Sequence, residues 1–326
     1  MTISHITELH GLPVFDFPRP DEGEKPLPEA ETVAWRLSRH DGEEDIDDCW
    51  ERFLDTVDPA RVRALVFGQG AYGSELDYSG FDAADQLAAA KDRLTGLDAL
   101  YLADLEFEEC ELSWIVQGDV SPILAAYPRL RELGVRGSGG GYGDEPGLEF
   151  PPLRHEGLCT LRLENGGLPG AVVRGIASSD LPHLEHLDLW FGVEDYGRDA
   201  TVHDLAPILN GGRLPALRHL GLRNADIQDE LAAAVATAPV VAQLTSLSLG
   251  LGALSDAGAE SLLHGQPLTH LKRLDLRHHF LSDAMMRRVR DALEPSGVTV
   301  DLPESEGIDE DDADDEAGGR YVAASE

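Results

Sequence analysis

The sequence predicts an α/β solenoid, with parallel strands stacked in chain order along one side and helices along the other. Three observations lead there. A six-residue frame, L-x-x-L-x-L, recurs along most of the chain. Its closing L-x-L is strand alternation, which puts the fourth and sixth positions on one face. The copies return at an interval of roughly 30 residues, and most intervals hold a helix-like segment, the pattern of units that must stack to bury a shared core.

Taken in order, residues 1–61 stand outside the frame. Within them TVAWRLSR alternates Val33, Trp35 and Leu37, and DDCWERFLDTV reads as a helix with Trp50, Phe53, Leu54 and Val57 on one face. This region is expected to be an N-terminal cap shielding the first repeat. The array is expected over 62–302: VRALVF from Val62, LDALYL from Leu97, LRELGV from Leu130, LCTLRL from Leu158, LEHLDL from Leu184, LRHLGL from Leu217, LTSLSL from Leu244 and LKRLDL from Leu271. The fourth positions, Leu65, Leu100, Leu133, Leu161, Leu187, Leu220, Leu247 and Leu274, are separated by 35, 33, 28, 26, 33, 27 and 27 residues. Helical stretches such as DELAAAVATA, DAGAESLLHG and DAMMRRVRDAL fill the gaps, two of them opened by capping residues, Ser255 or Asp256 and Ser282 or Asp283. GVTVDL at 297–302 predicts a last strand. Residues 303–326 hold ten acids, one arginine and little that is apolar, so they are expected to be a disordered tail.

The eight in-register copies resemble leucine-rich-repeat proteins. The helical connections and a unit near 27 residues are similar to the ribonuclease-inhibitor-like type, and more narrowly to standalone bacterial cytoplasmic leucine-rich-repeat proteins to which no activity is assigned. The resemblance spans roughly Val62 to Leu302. It implies a horseshoe, with parallel strands on the concave face, helices on the convex face, and a protein-interaction scaffold that binds through the concave face. One departure is visible: where the family carries Asn or Cys at the ninth position, this chain has Leu105, Ser138, Gly166, Gly192, Ala225, Gly252 and His279. Backbone groups at those turns must then bond to water or to neighbouring backbone.

A formal net charge of −35, from 26 Lys+Arg against 61 Asp+Glu, disfavours nucleic acid and anionic membrane surfaces as partners. Cys49, Cys110 and Cys159 are odd in number and far apart, so a disulfide framework or CxxC metal knuckle is not expected, and reduced thiols are. The first residues show no basic segment leading into an apolar run, and no stretch reaches about 18 apolar residues, which leads to the expectation of a cytoplasmic protein. Lys25, Lys91 and Lys272 are the only lysines in a chain rich in Arg, Ala, Gly and Asp, a bias expected of a GC-rich bacterial genome.

The motifs that suggest chemistry have plainer readings. GQGAYG at Gly68–Gly73 matches G-x-G-x-x-G after a strand, with Asp104 near the end of the next, and supports the alternative of a nucleotide-binding protein or enzyme. Yet SELDYSGF separates its last glycine from any helix, whereas a dinucleotide site needs the helix N-terminus at that glycine. RGSGGGYGDEPG at 136–147 lacks the Lys-Ser/Thr of a phosphate loop and reads as an insertion. DGEEDIDD and DEDDADDE do not fit a calcium loop. His186 and His219 share the third frame position in consecutive repeats, and His278-His279 follows, but two ligands without a third make a poor zinc site. No nucleophile elbow, Cys/His pairing or defined carboxylate pair is present, so neither catalysis nor a cofactor is expected.

The resemblance implies that positions three, five and seven of each frame line the hollow. From the second copy on, these positions hold five arginines and four acids, a mixed and far less acidic set than the chain as a whole. The expected partner-binding residues are Tyr101, Arg136, Arg162, His186, Asp188, Trp190, His219, Arg223, Arg273, Asp275 and Arg277, with Trp190 as the apolar anchor. Ser248, at a fifth position, is expected to be exposed.

Overall fold

The structure is a computed structural model that describes residues 3–22, 26–39, 44–69, 83–137, 147–307 and 319–324. It is a mixed α/β fold. Among the described residues twelve strands run in chain order: β1 (Glu8–Leu9), β2 (Leu12–Asp16), β3 (Ala34–Leu37), β4 (Ala64–Phe67), β5 (Ala99–Leu102), β6 (Glu132–Arg136), β7 (Thr160–Glu164), β8 (His186–Gly192), β9 (His219–Ala225), β10 (Ser246–Ser248), β11 (Arg273–Asp275) and β12 (Thr299–Asp301). The helices are α1 (Ile46–Thr56), α2 (Ala83–Ala90), α3 (Ser121–Ala126), α4 (Gly170–Ser178), α5 (Ala206–Leu209), α6 (Gln228–Ala236), α7 (Asp256–His264) and α8 (Asp283–Leu293). None among the described residues is long and apolar enough to cross a membrane. The chain divides into two compact units, Thr2–Pro151 with His155–Leu161, and Arg162–Ser325 with Pro152–Arg154.

The N-terminal unit opens on an antiparallel hairpin. Its two-residue loop, His10 and Gly11, has φ of 54° and 72°, the left-handed pair that matches the twist of the flanking strands. From β2 onward pairing is parallel, and Trp35, Leu65, Leu100 and Leu133 stand side by side in register. Trp35 thus occupies a frame-leucine position, and the stacked strands begin ahead of residue 62, inside the region expected to be only a cap. The expected helix forms as α1, capped by Asp45, and buries Trp50, Phe53, Leu54 and Val57. Edge-to-face and stacked contacts link Phe17, Trp35, Phe53 and Trp50.

On the other side of these strands Ala34, Ala64, Val66, Ala99 and Tyr101 form a buried cluster with Leu9, flanked by Ile6, Leu12 and Val14. The chain's own first residues therefore cover this strand face. Asp104, fully buried, accepts from Ile6 N at 3.0 Å and from Arg36 Nε at 2.9 Å. Arg36 Nη2 donates to Ile6 O, and Arg136 Nη2 to Ser4 O at 3.4 Å.

In the C-terminal unit Leu187, Leu220, Leu247, Leu274 and Val300 align across β8–β12. All four leucines are buried, as the frame predicts. Ser255 and Ser282 cap α7 and α8, the first of the alternatives offered at each site. Each is also tied to the preceding repeat: Asp229 accepts from Ser255 N at 2.8 Å, and Asp256 from Ser282 N at 2.8 Å and Ser282 Oγ at 2.7 Å. Beyond the strands, Asn224, Leu251 and His278, the eighth positions of three consecutive frames, have φ of 52°, 69° and 53°. A left-handed residue, not a ninth-position asparagine, makes these turns.

The expectation of a disordered tail is corrected for the described residues 319–324; residues 308–318 lie outside the described set. Tyr321 O is bonded to His278 Nε2 at 3.0 Å, Ala323 N donates to Leu251 O at 2.8 Å, and the Asn224 side chain accepts from Ala324 N at 3.0 Å while donating to Ala324 O. Three residues of extended chain span about 10 Å, close to two strand spacings, so the segment crosses three repeats by meeting each left-handed residue in turn. Val322 and Ala324 are buried, and the Tyr321 ring meets those of His278 and Phe280 edge-on.

Candidate functional site

The longest strands, β8 and β9, have seven residues each, and alternation along them sends Leu187, Leu189, Leu220 and Leu222 inward and His186, Asp188, Trp190, His219 and Arg223 to the opposite face. His186 lies directly opposite His219, and their rings stack at 3.9 Å with a 14° interplanar angle. Asp188 lies opposite Gly221. A Cβ at Gly221 would come within 2.6 Å of Asp188 Oδ1, so the glycine makes room for the carboxylate. Burial pushes His186 down to about 4, with His219 adding to the effect, and burial also lowers His219, against the pull of Asp188. Both imidazoles are therefore neutral at pH 7. His219 Nδ1 meets Ser246 Oγ at 2.7 Å.

From Asp188 an alternating chain of charges crosses the strands. Arg223 Nη1 reaches Asp188 Oδ2 at 3.3 Å and its Nη2 reaches Asp275 Oδ2 at 3.6 Å. Arg277 grips Asp275 with two bonds, 3.0 and 2.9 Å, and lies 3.3 Å from Asp301, which Arg273 meets at 2.7 Å. Burial alone would raise Asp275, but the bonds from Arg277 and the positive charge of Arg223 outweigh it and hold its carboxyl low. Arg223 also sits over the Trp190 ring, 5.7 Å from its centroid, and Trp190 Nε1 is buried without a hydrogen-bond partner. Nine of the eleven expected binding residues thus belong to the C-terminal unit: Arg162 on β7, the set on β8 and β9, and Arg273, Asp275 and Arg277 on and after β11.

Tyr101 and Arg136 are placed differently. Tyr101 is fully buried beneath the N-terminal segment, with Arg136 5.5 Å from its ring, and Arg136 is itself buried and donates to Leu105 O at 2.6 Å. They hold the chain's own residues and are closed to a partner there. Ser248 is likewise only 2% exposed, with its hydroxyl 3.2 Å from Asp275 Oδ2, so the expectation that it is exposed is corrected. Ser246, Gly221 and Asp301 matter to the site without having been singled out. Asp301 was findable by extending the frame through GVTVDL.

Of the other motifs, Gly70–Gly73 and residues 138–146 lie outside the described residues. The described part of the first acidic run is structural: Asp45 caps α1, and Glu44 takes two bonds of 2.6 Å from Arg52. Cys49 and Cys110 are buried and free, their thiols pushed up by burial to about 12 and about 11, far from nucleophilic thiolates.

A Bacteroides fragilis protein, a Northeast Structural Genomics Consortium target with a crystal structure, is similar to this chain with a TM-score of 0.73 and 29% sequence identity, over 84% of this chain and 72% of that one. No protein-family model and no curated protein matches the chain. The likeness extends the ordered α/β architecture to a second protein across most of this one.

Proposed function

We propose that this protein is a leucine-rich-repeat array that serves as a non-catalytic interaction scaffold, binding a protein partner through the strand face of its C-terminal unit. The observation that carries the reading is intramolecular. In the N-terminal unit the equivalent face already holds a peptide, Ser4–Leu9, gripped at its backbone by Arg36, Asp104 and Arg136 and packed on Tyr101. The C-terminal unit offers the same residue types on its strand face, an aromatic ring, arginines and acids, with Arg223 at the same seventh frame position as Arg136 and Trp190 at a seventh position where Tyr101 holds a fifth. Two buried polar atoms there, Trp190 Nε1 and Arg223 Nε, have no hydrogen-bond partner. Such atoms are costly to leave unmet, and a bound segment would satisfy them. Trp190 supplies apolar area at the centre and the arginines supply charge-assisted bonds to carboxylates or carbonyls, while the acidic body repels polyanions.

The test is comparative capture from the native cell by wild type, Trp190→Ala and Arg223→Ala. A protein held by the wild type is expected, weakened by at least about 2 kcal/mol in Trp190→Ala, with an unchanged melting temperature, and by about 1 kcal/mol in Arg223→Ala, whose melting temperature falls because Asp188 and Asp275 lose a buried partner, so that affinities are compared well below it. A partner retained equally by both variants would move the interface off this face.

A further inference from the structure

The stacked histidines and the carboxylate beside them form a cluster that the partner-binding reading does not explain. His186, Asp188 and His219 each present one potential ligand atom, and these atoms lie within 4.8 Å of one another. His186 Nε2, His219 Nε2 and Asp188 Oδ1 are all buried without a hydrogen-bond partner, and Asp188 is only 4% exposed. His219 Nδ1 lies 2.7 Å from Ser246 Oγ; in the tautomer that puts the proton on Nδ1, with the serine oxygen accepting, Nε2 is left as a bare lone pair. Two imidazoles and a carboxylate gathered on one side of a protein surface suit a cation.

We propose that His186, His219 and Asp188 bind one divalent transition-metal ion of the class that accepts mixed imidazole and carboxylate donors, zinc being the best match. The supporting features are those of a built site. Ser246 Oγ anchors the ring of one ligand, and Arg223 Nη1 holds Asp188 Oδ2 at 3.3 Å, the oxygen that lies 3.9 Å from His219 Nε2, while Oδ1 is unpartnered. Gly221 provides the gap into which the carboxylate leans. Tetrahedral zinc, with bonds of about 2.0–2.2 Å, sets its ligand atoms roughly 3.3 Å apart, so separations that now reach up to 4.8 Å shorten by up to about 1.5 Å on binding. Arg162 and Arg223 act against a cation here, while Asp188 and Asp275 act for it. Three protein donors leave a fourth position for water or an outside group.

The experiment titrates chelator-treated full-length protein with zinc alone against a chromophoric zinc indicator, and repeats the titration with cobalt to read coordination from its visible spectrum. One tightly held equivalent is expected, with cobalt giving the intense visible bands of a tetrahedral site. His186→Gln and His219→Gln should each weaken zinc by at least about tenfold, and Ser246→Ala, which removes only the orienting bond, by about tenfold. Gly221→Ala, which keeps every ligand but displaces Asp188, should weaken it as well, whereas His264→Gln on the exposed face of α7 should not. The proposal is overturned if no stoichiometric zinc binding occurs, or if a folded His186→Gln/His219→Gln double variant binds like the wild type. Should that double variant fail to fold, absence of tetrahedral cobalt bands in the wild type overturns it equally.

Discussion

Leu220→Ala tests the stacking that underlies the fold. Leu220 is fully buried between Leu187 and Leu247, its in-register neighbours on β8 and β10. Truncation to Ala removes about three methylene equivalents at about 0.8 kcal/mol each, roughly 2.4 kcal/mol of transfer free energy. A cavity term adds to this, because paired strands on both sides limit collapse, and the total should fall at about 3–4 kcal/mol. Arg273→Ala is the control: its side chain is 50% exposed and its bond to Asp301 is a surface ion pair, worth about 0–1 kcal/mol. Urea unfolding followed by circular dichroism measures both, with comparison of midpoints at constant slope showing that stability and not cooperativity has changed. A Leu220→Ala cost within about 1 kcal/mol of the Arg273→Ala cost would refute the in/out assignment.

Asn224→Ala should cost about 1–3 kcal/mol, since it removes both bonds to Ala324 from a buried turn; it should also hasten carboxypeptidase trimming of the C-terminal residues, and unchanged trimming would argue against the docked segment. Ser282→Ala should lower stability by about 1 kcal/mol through loss of the α8 cap, read as a shift in melting temperature, with Ser282→Asp, which keeps a capping oxygen, closer to wild type. Acid should destabilise the protein through its buried histidines. His186 titrates near 4 in the fold against 6.5 ordinarily, so the unfolded chain binds the extra proton and stability falls as pH drops from about 6.5 toward 4. His186→Gln should flatten that part of the melting-temperature profile, and an unaltered slope would count against the burial of this ring.

What the sequence made legible was whatever repeats. The frame leucines, the inward face of α1 and the capping serines Ser255 and Ser282 announce themselves by local periodicity, and each falls where it was expected. Trp35 was missed as a frame member because an aromatic stands where leucine sets the pattern. Tyr101 and Arg136 occupy proper face positions, but their burial depends on a segment about a hundred residues earlier in the chain, and contacts of that kind leave no periodic mark. The tail was read from its composition, yet residues 320–324 dock largely through backbone groups, which composition does not report. The eighth-position turns escaped for a related reason: Leu251 and His278 do not ordinarily signal a left-handed residue, and only their shared place in the repeat reveals them. Asp188 was assigned to the face from its spacing, but its closeness to both histidines depends on Gly221 opposite it, a pairing visible only once the strands are in register.

The central claim, that the strand face of the C-terminal unit is the binding surface, is most directly tested by in-cell photo-crosslinking. A photoreactive residue is placed at position 190 in one variant and, in another, at Ala233 on the exposed side of α6. The account predicts a discrete protein adduct from position 190, suppressed by adding Arg223→Ala, and no such adduct from position 233. An adduct from position 233 with none from position 190 would contradict it and assign recognition to the helical side.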